Sequence, residues 1–481
     1  MIPLPGFSPD SDPTAPGAII DCQNVVPSEY GLRGAPKPVS AGVNALAAEC
    51  RGAVNVTVIT GSRKLFAGTP EKLYQLNPDN ITWSDVSRVG DYTLGADERW
   101  SFAQFGDATL AAYPGAFIQR AISGGDFANI AGSPNARVVV AASGFAVAFN
   151  TTTFADEWYC SAYLDDQDWT LDVTKQCVKG RLLQGAGQIT AAKRLGDDIV
   201  AYKAGSMYIG RYQGAPEVWN WAQISGEVGC VGIDAVCETP QGHVFCGRDN
   251  VYLCDGSAPR PLATGTIRRW LFREMSGSYM HRTKLLWDRD NHLVWIYFVG
   301  GGGTTCTRCV VYHLLANRWG VADEPCQAVV NYITTGVTYD GGTPLVTTYD
   351  TSPAIPYDSL FWMAERELPC IFTGANVLSP LAGRCVSASI TTGDMGDDEG
   401  YTFCDNVRIR YTRAPDTSTI TGLVKDESGS FSGFKQTDMA QDGSHHMRQC
   451  GRWHRFRLET TGDFHLTAIR PNVKPAGRRG S

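Results

Sequence analysis

From about residue 55 the chain repeats one pattern. A turn holding Gly or Asp leads into an apolar strand, then a short polar break and a second apolar strand. The copies are "GSRKLFAGTPEKLYQL", "FGDATLAAYPGAFIQRA", "ASGFAVAFNTTTFADEWYCSA", "LGDDIVAYKAGSMYIGRY", "TPQGHVFCGRDNVYLCDG" and "RDNHLVWIYFVGGGGTTCTRCVVYHL". Their first strands centre on Leu65, Leu110, Val147, Val200, Val244 and Val294, a mean spacing of about 46 residues. A lone hairpin pair cannot bury its apolar faces, whereas radial stacking of such units covers both faces of each small sheet. A period of roughly 40–50 residues built from antiparallel strands therefore predicts a β-propeller. The inner strands should be almost wholly apolar, as "VVVAASGFAVAFN" and "HLVWIYFVG" are. A weaker copy, "AVVNYITTGVTYDGGTPLVTTYD", falls where the period places a seventh, so six and seven blades both fit.

The flanks differ. Residues 1–54 form an extended Pro/Gly-rich arm with little periodicity, of the kind that wraps its own body or a neighbour. The propeller is expected over 55–350. Around 351–385 the pattern loosens, which reads as a crossover linker. Strand-like alternation returns over 386–481 in "CVSASITTGD", "FCDNVRIRYTR", "TITGLVKDES" and "GRWHRFRLETTG", and predicts a C-terminal β-sandwich-like domain. The fold class is all-β.

Composition narrows the class. At 481 residues the chain exceeds one core of usual size, and 43% hydrophobic with 19% charged residues excludes a disordered polymer. The opening residues show no basic start with an apolar run, and no 18-residue apolar stretch exists, so neither export nor membrane spanning is expected. The 15 cysteines, set in apolar strands, then read as reduced buried thiols, and the sequons at Asn55, Asn80 and Asn150 carry no consequence.

Candidate chemistry is sparse. There is no GxxxxGK[ST], GxSxG or HExxH, and no Ser-x-Asp-x-Gly-x-x-Trp repeat. Acid pairs occur at Asp165/Asp166, Asp197/Asp198 and Asp397/Asp398, but sequence neighbours on a strand point to opposite faces, and "GDD" at 196–198 opens a hairpin. Cys306 and Cys309 form a CxxC with His313 and Cys326 downstream; lacking a matching second pair, they read as thiols around a hairpin tip. Trp158, Trp169, Trp219 and Trp221 read as blade-to-blade packing rather than sugar platforms. No catalytic set, cofactor or metal site is expected.

The chain carries a formal charge of -7, yet it closes on the basic segment "GRWHRFRLETTGDFHLTAIRPNVKPAGRRGS". In "RWHRFRLE", His454, Phe456 and Leu458 share one face of a strand, and Trp453, Arg455, Arg457 and Glu459 the other. No nucleic-acid motif accompanies the arginines, so the expectation is a half-buried strand with its arginines outside and their stems covering the sheet.

The order of several segments resembles the tail nozzle (tail hub, tail tubular) proteins of short-tailed bacteriophages. They are "DCQNVVPSEYGLRGAPKP", "RLGDDIVAYKAGSMYIGRY", "GRDNVYLCDG", "NRWG" at 317–320 and "GRWHRFRLETTGDFHLTAIRPNVKPAGR". The resemblance implies a structural, non-enzymatic virion protein assembled in the host bacterial cytoplasm. It would form a homo-oligomeric ring, usually a hexamer, enclosing the genome-ejection channel. Its partners would be copies of itself, the adaptor or connector, a tail fibre or tailspike, and a plug or needle. Genome DNA would pass through without sequence-specific binding, and the host envelope would be met only during ejection. Net acidity suits such a channel, because phosphate neutralisation would grip the DNA. On the ring that the resemblance implies, Arg452, Arg455 and Arg457 would line a subunit interface and meet acidic runs such as "GDMGDDEG" at 393–400. The alternative is a receptor-binding or glycan-cleaving propeller of a tail or tailspike.

Overall fold

A computed structural model describes residues 2–333, 366–426 and 430–477. Five consecutive four-stranded antiparallel meanders span 53–85, 101–129, 136–181, 189–224 and 236–261. A sixth follows in Lys284–Asp288, Leu293–Val299, Cys306–His313 and Arg318–Val321. The last sheet combines Ala328–Ile333, Glu367–Phe372 and Leu378–Gly383 with Lys37–Pro38 from the arm as its outermost strand. Each innermost strand touches the next, and Ala328–Ile333 meets Ala53–Thr57, which closes the circle. These are blades 1–7: six are free-standing four-stranded sheets, and blade 6 continues outward into a larger one.

The repeat read from the sequence is present but shifted in phase. Leu65, Leu110, Val147, Val200, Val244 and Val294 lie on the second strand of their blades, not the innermost. The reason is burial: a second strand is covered by neighbouring blades on both faces, whereas the innermost strand borders the axis and can carry polar side chains. Leu293–Val299 is buried along its whole length, while Ile189–Leu195 alternates and ends half-exposed. The seams between blades have their own apolar clusters. Phe149 and Trp158 of blade 3 meet Trp221 of blade 4 with ring centroids 5.6 and 5.5 Å apart. The tryptophans do pack blade against blade, and burying each such ring is worth about 1.5–3 kcal/mol.

Two boundaries change. Residues 367–383, expected within a linker at 351–385, form two strands of blade 7, so the propeller extends past 350. Most of the expected seventh copy, 334–350, lies outside the described residues. The misreading has a local cause: "ELPCIF" and "LSPLAG" carry prolines that weaken a strand pattern. The arm wraps its own body. Ile19–Gln23 pairs with Ser387–Thr392, and Val25–Ser28 pairs with Arg318–Val321 and with Gly31–Gly34.

Gly31–Gly34 in turn pairs with His465–Gly477, followed by Tyr401–Arg413 and Ser444–Gly451. One continuous sheet thus runs from blade 6 through the arm into the C-terminal domain. A second sheet, of Ile19–Gln23, Ser387–Thr392, Trp453–Thr461, Thr417–Lys425 and Ser432–Asp438, forms the other layer of the sandwich. Ile390, Ile420 and Phe456 of this layer and Val407 and Met447 of the other belong to the same apolar core as blades 4–6. Gly31 makes the join possible. Its φ is +128°, and a Cβ there would stand 2.1 Å from the Leu466 carbonyl oxygen.

Candidate functional site

The innermost strands surround an axial cavity of about 280 Å³, bordered by Val54, Phe102, Val139, Lys193, Asp234 and Glu238. A neighbouring cavity of about 350 Å³ shares Lys193, Asp234 and Glu238 and adds Arg289, Asn331 and Glu367. Arg289 and Glu367 pair at 3.5 Å, and Asn331 Nδ2 donates to the Trp287 carbonyl at 3.1 Å. The axis therefore presents both signs of charge, on the strand residues Lys193, Glu238 and Glu367 and on the turn residues Asp234 and Arg289, an arrangement suited to holding a polar ligand by opposed charges.

A buried brace supports this wall. The Tyr202 hydroxyl lies 2.8 Å from His243 Nδ1, and His243 Nε2 lies 2.7 Å from the Arg194 carbonyl. A carbonyl can only accept, so Nε2 carries the proton and Nδ1 accepts from Tyr202. Burial holds His243 below the ordinary imidazole value, hence neutral. Both ring nitrogens are occupied, which makes His243 a brace rather than a free base. Lys203, also buried, donates to the carbonyls of Leu182 and Gly185, and burial lowers its pKa.

The cysteine motif is enclosed. Cys306, Cys309 and Cys326 are all buried; Lys284 Nζ lies 3.3 Å from Cys306 Sγ, whose thiol faces the Arg282 carbonyl at 3.2 Å. Burial pushes the Cys309 and Cys326 thiols up, away from the thiolate form a metal would need. His313 Nδ1 accepts the Ala316 N–H at 3.1 Å. Among the described residues no three His, Cys, Asp or Glu side chains converge as a metal-binding group.

The acid pairs serve turns and ion pairs. Asp165 accepts the Gln167 N–H at 2.9 Å, and Asp166 pairs with Arg120. Asp197 sits at a hairpin tip, and Asp198 pairs with Arg211 at 3.3 Å. Asp397 accepts the Glu399 N–H and Asp398 the Trp453 indole N–H, both at 3.0 Å.

The closing strand Trp453–Thr461 alternates as the sequence predicts: His454, Phe456 and Leu458 are buried, while Arg457 is exposed and Trp453, Arg455 and Glu459 are half-buried. It is a central strand, flanked by Ser387–Thr392 and Thr417–Lys425. The acidic run meets it within the chain. Arg455 pairs with Asp394 and lies 3.9 Å over the Phe431 ring. Arg457 pairs with Glu459 at 3.1 Å, and Arg452 lies 5.7 Å over the Tyr401 ring. The carboxylate contact expected for Arg455 across an interface is thus made inside one chain.

One feature escaped the reading of the sequence. Blade 3 carries an excursion, "SAYLDDQDWTLDVTKQCV" at 161–178, between its third and fourth strands. Tyr163, Leu164, Leu171 and Val173 on it are 44%, 67%, 52% and 50% exposed. The excursion is pinned: Asp168 pairs with Lys175 at 2.6 Å, Asp172 accepts the Thr174 N–H at 2.8 Å, and buried Trp169 donates to the Asp166 carbonyl at 2.9 Å. The signal was available, since the gap from Val147 to Val200 is the longest in the repeat.

No protein-family model matches the chain, and no curated protein matches it in sequence. Similar solved structures include YCF48 bound to D1 peptide, at 14% identity over 63% of this chain and 92% of that one, with a TM-score of 0.38. YCF48 from Cyanidioschyzon merolae is 10% identical over 60% and 88%, with a TM-score of 0.33. The dihydro-heme d1 dehydrogenase NirN in complex with DHE is 11% identical over 87% and 78%, with a TM-score of 0.37. Likeness at this level carries no functional argument; the propeller rests on the strand pairing itself.

Proposed function

We propose that this chain is a structural protein of a short-tailed phage virion. It would form an oligomeric tail nozzle or hub ring around the genome-ejection channel, joining the adaptor to fibres or plug. The sequence resemblance suggests the role, and the observation that supports assembly is the pinned excursion of blade 3. Four exposed apolar side chains on an ordered surface are unfavourable in water and gain on being covered by a partner. The continuous sheet that joins propeller to sandwich suits a load-bearing subunit. The alternative of a receptor-binding or glycan-cleaving propeller is favoured by the charged axial cavity.

Native mass spectrometry of the chain with its adaptor tests the first reading. The expected species holds several copies of the 52.1 kDa chain. Leu164→Asp combined with Val173→Asp should leave a folded monomer that no longer assembles. Unimpaired assembly of the double variant, or a wild-type chain that stays monomeric with its adaptor, would overturn it.

A further inference from the structure

A third pocket, of about 590 Å³, lies where blades 6 and 7 meet the arm and the sandwich. That is within the roughly 300–1,000 Å³ of small-molecule sites. Arg33, Ser28, Asp288 and His465 line it. Arg33 comes from the strand Gly31–Gly34, register-paired with His465 on one side and Val26 on the other. Its Nε is fully enclosed without an acceptor, and among the described residues its guanidinium makes no hydrogen bond or ion pair. The neighbouring groups are already engaged. Asp288 accepts both N–H groups of Asn291, at 3.2 and 2.8 Å, and His465 Nε2 lies 2.9 Å from Ser28 Oγ. At the rim Arg413 pairs with Asp463 at 3.3 Å and Asp290 with Arg366 at 3.1 Å.

Arg33 is half-buried, and leaving its enclosed Nε–H without an acceptor is costly; Asp288 attracts it through space, but the two make no ion pair. The cost is met when an anion enters, and a planar carboxylate matches the guanidinium fork with two parallel hydrogen bonds. The rest of the lining selects among anions. Two arginines stand against Asp288, Asp290 and Asp463, so a dianion would be repelled, whereas donor groups on the ligand would find the aspartate oxygens. Burial raises the pKa of Asp288 and lowers that of Arg33, and the attraction between the two opposes both shifts. We infer that this pocket binds a small monocarboxylate that carries a hydroxyl or ammonium donor close to its carboxylate, with the carboxylate on Arg33 and the donor toward Asp288. The inference is independent of the assembly reading.

Isothermal titration calorimetry on the full chain tests it with L-lactate and L-serine as minimal head groups, against acetate and inorganic phosphate. Lactate or serine should bind at least tenfold more tightly than acetate or phosphate. Arg33→Met, which keeps the stem and removes the charge, should lose that binding at least tenfold while its unliganded melting temperature equals or exceeds wild type. Arg33→Lys, which keeps the charge but loses the fork, should fold and bind at least tenfold more weakly. Phosphate binding as tight as lactate would overturn the assignment, as would no binding of any probe. A lowered melting temperature in both variants, with binding retained, would make Arg33 purely structural.

Discussion

Replacing Gly31 with alanine adds one carbon at the join between propeller and sandwich. The backbone there has φ +128°, outside the regions an L-residue adopts, which costs about 1–3 kcal/mol. The added Cβ would also stand 2.1 Å from the Leu466 carbonyl oxygen, a backbone atom that cannot swing aside. One strand must therefore move and weaken the pairs Leu32–Leu466 and Arg33–His465, each hydrogen bond being worth about 0.5–1.5 kcal/mol net. Together these give about 3–5 kcal/mol, a large share of a domain's usual 5–15 kcal/mol. Gly61→Ala is the control: its φ is +80°, but nothing lies within 4 Å of the added carbon, so only a backbone cost of about 1 kcal/mol remains. Urea unfolding followed by tryptophan fluorescence and circular dichroism should show Gly31→Ala far less stable than Gly61→Ala, with the sandwich unfolding at lower urea than the propeller. Equal midpoints for the two variants would refute the continuous-sheet reasoning.

Burial holds His243, His313, His445, His454 and His465 below the ordinary imidazole value of 6.5. The unfolded chain therefore takes up protons near pH 6.5 that the folded chain refuses. This stability is fully present above that pH and falls as pH drops through it, by up to about 1.4 kcal/mol per pH unit for each fully shifted ring. Urea midpoints at pH 7.5 and 5.5 check the sign, and a higher midpoint at 5.5 would contradict it. Arg457→Ala, at an exposed pair, should change stability by less than about 0.5 kcal/mol, whereas Arg455→Ala, which loses Asp394 and the Phe431 ring, should cost about 1–2 kcal/mol; chemical denaturation of both variants distinguishes them. Asp197 and Asp198 occupy a hairpin, so purified protein should release no reducing sugar from host polysaccharide; release abolished by Asp197→Asn with Asp198→Asn would reverse that reading.

Much of the local structure was legible in the order of residues. The spacing of Leu65, Leu110, Val147, Val200, Val244 and Val294 determined that blades exist, because both-face burial writes an apolar run every 40–50 residues. The two-residue alternation through His454, Phe456 and Leu458 determined which face of the closing strand is buried. Both signals belong to single strands. Strand partners do not: Lys37–Pro38 closing blade 7 against Leu378–Gly383, and Gly31–Gly34 meeting His465–Gly477, join segments hundreds of residues apart. No local pattern specifies such a pairing, since loop-closure entropy grows only slowly with length and the choice among distant edges falls to the packing of the whole. Tertiary structure likewise decided that Arg455 meets Asp394 in its own chain, and that Arg33 of the arm ends half-buried near Asp288 with its Nε enclosed and unbonded. A side chain's charge is written in the sequence, but its solvation is set only when distant strands close around it.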